Sequence, residues 1–137
     1  MGDTSQLEER VRQDLERIRE SLRHEAELTL QGVDTALKAL AGRDRRLAYA
    51  VMLGDNRIDV LEGHIDRLCQ EFLVRHMPVA EQLRMIIAVM KVNGELERIG
   101  DYAEAIARRV VALPSGAVFP SIDKILEMGR LAYQILR

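Results

Sequence analysis

The stretch ELERIGDYAEAIARR, residues 95–109, carries Glu97, Asp101 and Glu104 at intervals of four and three. A helix turns by ~100° per residue, so with Glu97 at zero Asp101 falls near ~40° and Glu104 near ~−20°, and all three carboxylates project in one direction. DNRIDVLEGHID, which begins at Asp55, repeats the arrangement with Asp55, Asp59, Glu62 and Asp66 inside a sector of roughly 60°. Oxygen ligands in such rows, without thiolates, suit hard cations or a cluster of several metal ions bridged by shared Asp and Glu.

Like charges at these spacings oppose a helix. The pairs Asp55–Asp59, Asp59–Glu62, Glu62–Asp66, Glu97–Asp101 and Asp101–Glu104 each cost ~0.2–0.5 kcal/mol, together on the order of 1–2.5 kcal/mol. Basic residues are present but turned away, with Arg57 at ~200° and Arg67 at ~120° from the acidic row of their helix. A bound cation would remove the repulsion. The plainer reading is a solvated helix face, with Glu104 paired to Arg108 and Glu97 pointing outward.

Other chemistry has little support. No Glu-x-x-His is present, which disfavours a ferritin-like di-iron centre. His64 falls ~180° from the acidic row, and surface or capping roles are expected for His24, His64 and His76. No spacing evokes a Ser-His-Asp or Cys-His set, and no Gly-rich loop could cradle a phosphate. The expectation is a protein that is not an enzyme.

The elements that must hold the two rows follow from apolar periodicity. Leu7, Val11, Leu15, Ile18, Leu22, Thr29, Val33, Ala36 and Leu40 predict one long helix over roughly 6–41. Gly42 is the expected helix-ending residue and Asp44 the next N-cap. Leu47, Val51, Gly54, Ile58, Leu61, Ile65, Leu68 and Phe72 form a second seam, stopped at RHMP, where Pro78 suits the first turn of a new helix. Met85, Val89, Val92, Leu96, Ile99, Ala103, Ile106, Val110 and Leu113 form a third. Short connections make this an all-α, up-down three-helix bundle over 1–113. A linker at 114–120, PSGAVFP, precedes a fourth helix over 121–137, capped by Ser121, whose apolar face must pack on its own bundle or on another subunit.

Both acidic rows fall one residue after their apolar seam, at the edge of the bundle. On the second helix Ala48 and Met52 precede the row and Cys69 and Leu73 follow it in the same line. The carboxylates therefore interrupt what would otherwise be a second apolar seam.

Composition sets the remaining bounds. With 47% hydrophobic and 31% charged residues in 137, the chain can form a core. The net charge of −2, from mixed acids and bases, offers no basic surface for nucleic acid. No apolar run approaches the ~20 residues that span a bilayer, so membrane insertion is not expected. Cys69 has no intramolecular partner and no signal-peptide layout is present, which makes the cytoplasm the default location.

LERIGDYAEAIARR at 96–109, RHMPVAEQLRMIIAVMK at 75–91 and GDNRIDVLEGHID at 54–66 resemble the PhoU family of phosphate-signalling proteins. The family signature, a pair of E/D-x-x-x-D motifs on neighbouring helices, is matched by Asp55–Asp59 and Glu62–Asp66 on the second helix and Glu97–Asp101 on the third. The resemblance implies metal ligation by Asp55, Asp59, Glu62, Asp66, Glu97 and Asp101. The expected cofactors are divalent or trivalent ions, Fe, Zn, Ni, Mg or Mn, able to form a multinuclear site. It also implies a regulator of phosphate uptake and of the phosphate-starvation response, with a phosphate ABC transporter and its sensor histidine kinase as partners. Family members usually hold two bundles in tandem, so the fourth helix reads as the first element of a second, missing bundle, or as one exchanged in a homodimer. The alternative function is a metal-free helical interaction module that presents the acidic rows to basic patches on a partner.

Overall fold

The computed structural model describes residues 2–114, 116–118 and 120–137, with side chains from residue 5 onward. The expected linker at 114–120 thus includes two residues, Ser115 and Phe119, outside the described set. Among the described residues the elements are all helical: α1 Gly2–Gly42, α2 Arg45–His76, α3 Ala80–Ala112 and α4 Ile122–Leu136. None is long and apolar enough to cross a membrane.

Local chemistry sets the turns. Asp44 caps α2 by accepting from the backbone N–H groups of Arg46 at 2.8 Å and Leu47 at 3.2 Å. The left-handed residue between α1 and α2 is Arg43 (φ 50°) rather than Gly42. After α2, Met77 takes the left-handed conformation (φ 44°, ψ 53°) and its N–H bonds the Leu73 carbonyl. Pro78 lies before the first turn of α3, not within it, because extended Val79 is the N-cap and Ala80 the first helical residue. Ser121 occupies the N-cap position of α4, but its side chain makes no cap hydrogen bond.

Helices α1, α2 and α3 pack against one another in up-down-up order, while α4 touches α1 alone among the helices. The interior of the bundle is divided lengthwise. At one end Ile18, Ile65, Cys69, Phe72, Ile86 and Val89 form an apolar cluster. At the other, Ala36, Ala39, Ala48, Val51, Ala103, Ala107 and Val110 form a second. The alanines there let the three backbones approach closely. Between the two clusters lies a polar waist of Glu25, Thr29, Asp55 and Asn93, the buried polar or charged residues among those described.

The waist corrects the sequence reading of the seams. Glu25 fills the gap between Leu22 and Thr29, and is fully buried. Asn93, not Val92, faces the interior: Val92 is 47% exposed and Asn93 not at all. Leu7, the first residue assigned to the α1 seam, is also exposed.

His76 departs from expectation too. Its side chain is buried against Phe72, with ring centroids 4.7 Å apart, and Nε2 lies 2.8 Å from Asp14 Oδ2. Arg75 Nη1 donates to the same oxygen at 2.8 Å, so the end of α2 is fastened to α1. These donors hold the Asp14 carboxyl below its usual range, the His76 hydrogen bond being the largest cause.

Helix α4 lies on α1 where Gly129 meets Leu37, and a Cβ at position 129 would overlap the leucine side chain. None of its residues is buried, and Ile125, Met128, Leu131 and Ile135 remain exposed.

Candidate metal centre

The two acidic rows converge. Ligand oxygens of Asp55 and Asp59 from α2 and Asp101 from α3 all lie within 4.8 Å of one another. Among the described residues no lysine or arginine pairs with any of the three, whereas Glu104 is engaged by the Arg108 guanidinium, with Nε at 3.0 Å. Glu104 is thus ion-paired as the plain reading has it, and Asp59 and Asp101 are exposed, whereas Asp55 is buried.

Asp55 is less peripheral than its angular offset predicts. Asp55 is only 9% exposed, and its Oδ1 is buried without a hydrogen-bond partner. Space for this carboxylate comes from α3. A Cβ on Gly100 would lie 3.4 Å from Asp55 Oδ1 and 3.2 Å from Ile58 Cδ1, so the glycine leaves the pocket into which Asp55 points. Beside it runs a cleft of about 190 Å³ lined from all three helices, in part by Gly32, Gly54, Asp55 and Gly100.

Electrostatics follow from this crowding. Burial, then the charges of Asp59, Glu104, Asp101 and Glu97, push the Asp55 carboxyl up to about 6. Glu97 is half-buried rather than splayed outward, and its carboxyl is raised by burial, by the charge of Asp101 and by a hydrogen bond with it. Farther along α2, Glu62 is raised by burial and by Asp66 and Asp59. Asp66 Oδ1 accepts a hydrogen bond from Asn93 Nδ2 at 3.0 Å. The predicted residues thus form one band with two parts: the tight trio Asp55, Asp59 and Asp101, and the neighbouring Glu62, Asp66 and Glu97.

Sequence reasoning missed one carboxylate. Glu25, on α1, is fully buried, and burial with the charges of Glu62, Asp66 and Glu97 pushes it up to about 8. The available signal was positional, since Glu25 stands three residues after Leu22 and four before Thr29 on the apolar seam.

The trio fits a metal ion on the structure's own terms. It brings together carboxylate oxygens from two helices, one of them buried and unpaired, with mutual repulsion that a bound cation, like a proton on Asp55, relieves. Such a donor set, all oxygen, favours hard ions over those that need thiolate.

A protein-family model for the PhoU domain matches residues 22–110, more than half of the chain. The chain belongs to the PhoU family. It is 39% identical over 100 residues to the phosphate-specific transport system accessory protein PhoU homolog of Aquifex aeolicus, covering 73% of this chain and 45% of that protein. It is 31% identical over 123 residues to the phosphate-specific transport system accessory protein PhoU of Escherichia coli K12, covering 90% and 51%. The chain therefore spans about half the length of the curated PhoU proteins it matches. The crystal structure of the phosphate transport system regulatory protein PhoU from Streptococcus pneumoniae superposes with a TM-score of 0.84 at 27% identity, over 92% of this chain and 59% of that one. The region matched by the PhoU domain contains every residue of the acidic band and Glu25.

Proposed function

We propose that this PhoU chain is a non-catalytic, metal-binding regulator of phosphate uptake and of the phosphate-starvation response, working in the cytoplasm through a phosphate ABC transporter and its sensor histidine kinase. The relatives named as accessory or regulatory proteins of phosphate transport support the process. One observation carries the metal: the Asp55, Asp59 and Asp101 oxygens lie within 4.8 Å of one another without a basic partner among the described residues. In this reading Asp55, Asp59 and Asp101 hold the first ion, and Glu62, Asp66 and Glu97 extend the site toward a multinuclear cluster. A bound Fe, Zn, Ni, Mg or Mn ion supplies the positive charge that lets the two helices keep their carboxylates together.

The same reading takes residues 1–113 as one PhoU bundle and 121–137 as the opening helix of a second repeat. The exposed face of Ile125, Met128, Leu131 and Ile135 is then covered by further chain or by a second copy in a homodimer. Sedimentation at several concentrations checks the dimer.

Elemental analysis of the purified protein tests the metal. Stoichiometric metal that is lost in the Asp59→Ala plus Asp101→Ala variant is the expected result. A protein free of metal, indifferent to chelators and unchanged in stability by divalent ions overturns it, and leaves the acidic rows as a docking surface for a basic partner.

A further inference from the structure

The polar waist holds more unpaired oxygen than the surface trio uses. Glu25 Oε1 and Oε2, Thr29 Oγ1 and Asn93 Oδ1 are all buried without a hydrogen-bond partner in the protein. The orientation of Asn93 is fixed by its other end, because Nδ2 donates to both the Glu62 carbonyl at 3.1 Å and Asp66 Oδ1 at 3.0 Å. A flipped amide would set oxygen against two oxygens. The Asn93 carbonyl oxygen is thus left as a free acceptor in the interior. Thr29 behaves unlike Thr35 on the same helix, whose hydroxyl donates back to the Gln31 carbonyl at 2.7 Å; Thr29 makes no such bond.

A proton on Glu25 would cancel its charge but supply one donor for four unpaired oxygens, and would leave the charges of Glu62, Asp66 and Glu97 in place. A water molecule could donate two hydrogens, yet would neutralise none of the negative charge of Glu25, Glu62, Asp66 and Glu97. A hard cation answers both needs at once, since every unpaired group is an oxygen and the surroundings are acidic.

We propose that the waist of the bundle is a second, interior site for a hard divalent cation of the Mg²⁺ or Mn²⁺ class, held by Glu25, Thr29 and Asn93 and reached past Glu62, Asp66 and Glu97. The proposal rests on the metal-binding reading of the acidic rows and extends it to helix α1, which carries no part of the paired acidic motif. It makes the site a three-helix device, in which a bound ion ties α1 to the α2–α3 pair.

Mn²⁺ binding to the full chain at pH 8, followed by electron paramagnetic resonance and by thermal melting, separates this site from the surface trio. In the Asp59→Ala plus Asp101→Ala background a Mn²⁺ ion still binds and still raises the melting temperature. Adding Glu25→Gln, which keeps shape and removes the charge, weakens that binding by about tenfold or more and abolishes the rise. Thr29→Val, near-isosteric, weakens it by a smaller factor and guards against a folding defect at position 25. If the background variant binds no Mn²⁺ while the parent protein does, or if Glu25→Gln leaves its binding unchanged, the interior site is overturned and the surface centre is judged alone. If Glu25→Gln removes a Mn²⁺ ion and Asp59→Ala plus Asp101→Ala removes none, the interior site stands and the surface centre falls.

Discussion

Gly100 on α3 stands directly over Asp55 on α2, at a distance where a single added carbon would sit 3.4 Å from the carboxylate oxygen. The absent side chain is what allows a charged group to turn into the bundle beside Ile58. Gly100→Ala gains up to ~1 kcal/mol of helix propensity and needs only a small shift of Ile58, so its stability is expected to stay within about 1 kcal/mol of the parent. Gly100→Val overpacks the pocket and is expected to cost ~1–3 kcal/mol by chemical denaturation. It also weakens metal binding, because Asp55 must move.

Metal affinity at the surface trio is expected to fall steeply below pH 6. The Asp55 carboxyl titrates at about 6 in the metal-free protein, and a protonated carboxyl is not a ligand, so binding weakens by up to about tenfold per pH unit below that point. Calorimetric titration at pH 5, 6 and 7 checks this. Affinity independent of pH across the range would remove Asp55 from the ligand set.

The metal-free protein should lose stability as pH rises from about 4.5 to about 8. Glu25 keeps its proton up to about 8 when folded and releases it near 4.5 when unfolded, so the folded state binds the extra proton across that window. The contribution is fully present below 4.5 and is gone once pH passes 8. Glu25→Leu removes the buried acid; it is expected to flatten this slope and to add ~1–4 kcal/mol at pH 8. Urea denaturation across the pH range measures both effects.

The Asp14–His76 contact makes the opposite demand on pH. Asp14 is held below its ordinary value of 3.8 in the folded protein, so its contribution is present above 3.8 and disappears as pH falls through the lower, folded value. Asp14→Asn is expected to cost about 1–3 kcal/mol at neutral pH. The difference from the parent protein should vanish in strong acid.

Much of the architecture was legible in the sequence, because three-four spacing of apolar residues is a direct projection of helix geometry. Asp44 could be named as a cap because a carboxylate before a helix has few better uses. Matching offsets on two neighbouring helices placed both acidic rows at the bundle edge, while the meeting of Asp55, Asp59 and Asp101 is visible only in three dimensions. What escaped was the polar content of the interior. Glu25 and Asn93 sit at core positions, yet residue type outweighed position, and the apolar Val92 beside Asn93 absorbed the assignment. His76 was misjudged for a related reason: its partner Asp14 is far away in sequence, and no local pattern announces a contact between the start of one helix and the end of the next. The side on which α4 lands was equally hidden, since its apolar stripe fits any apolar neighbour and only three-dimensional placement selects Leu37.

The separation of the two apolar clusters by a charged layer also governs alignment. Purely greasy rods of this length could slide along one another by a turn, ~5.4 Å, and still bury comparable surface. Here such a slip would pull Asn93 away from the Glu62 carbonyl and the Asp66 Oδ1 to which its amide donates, stranding a buried donor among apolar side chains. The polar layer that weakens the bundle therefore also numbers its rungs, leaving a single lengthwise setting in which the Asn93 amide meets its acceptors.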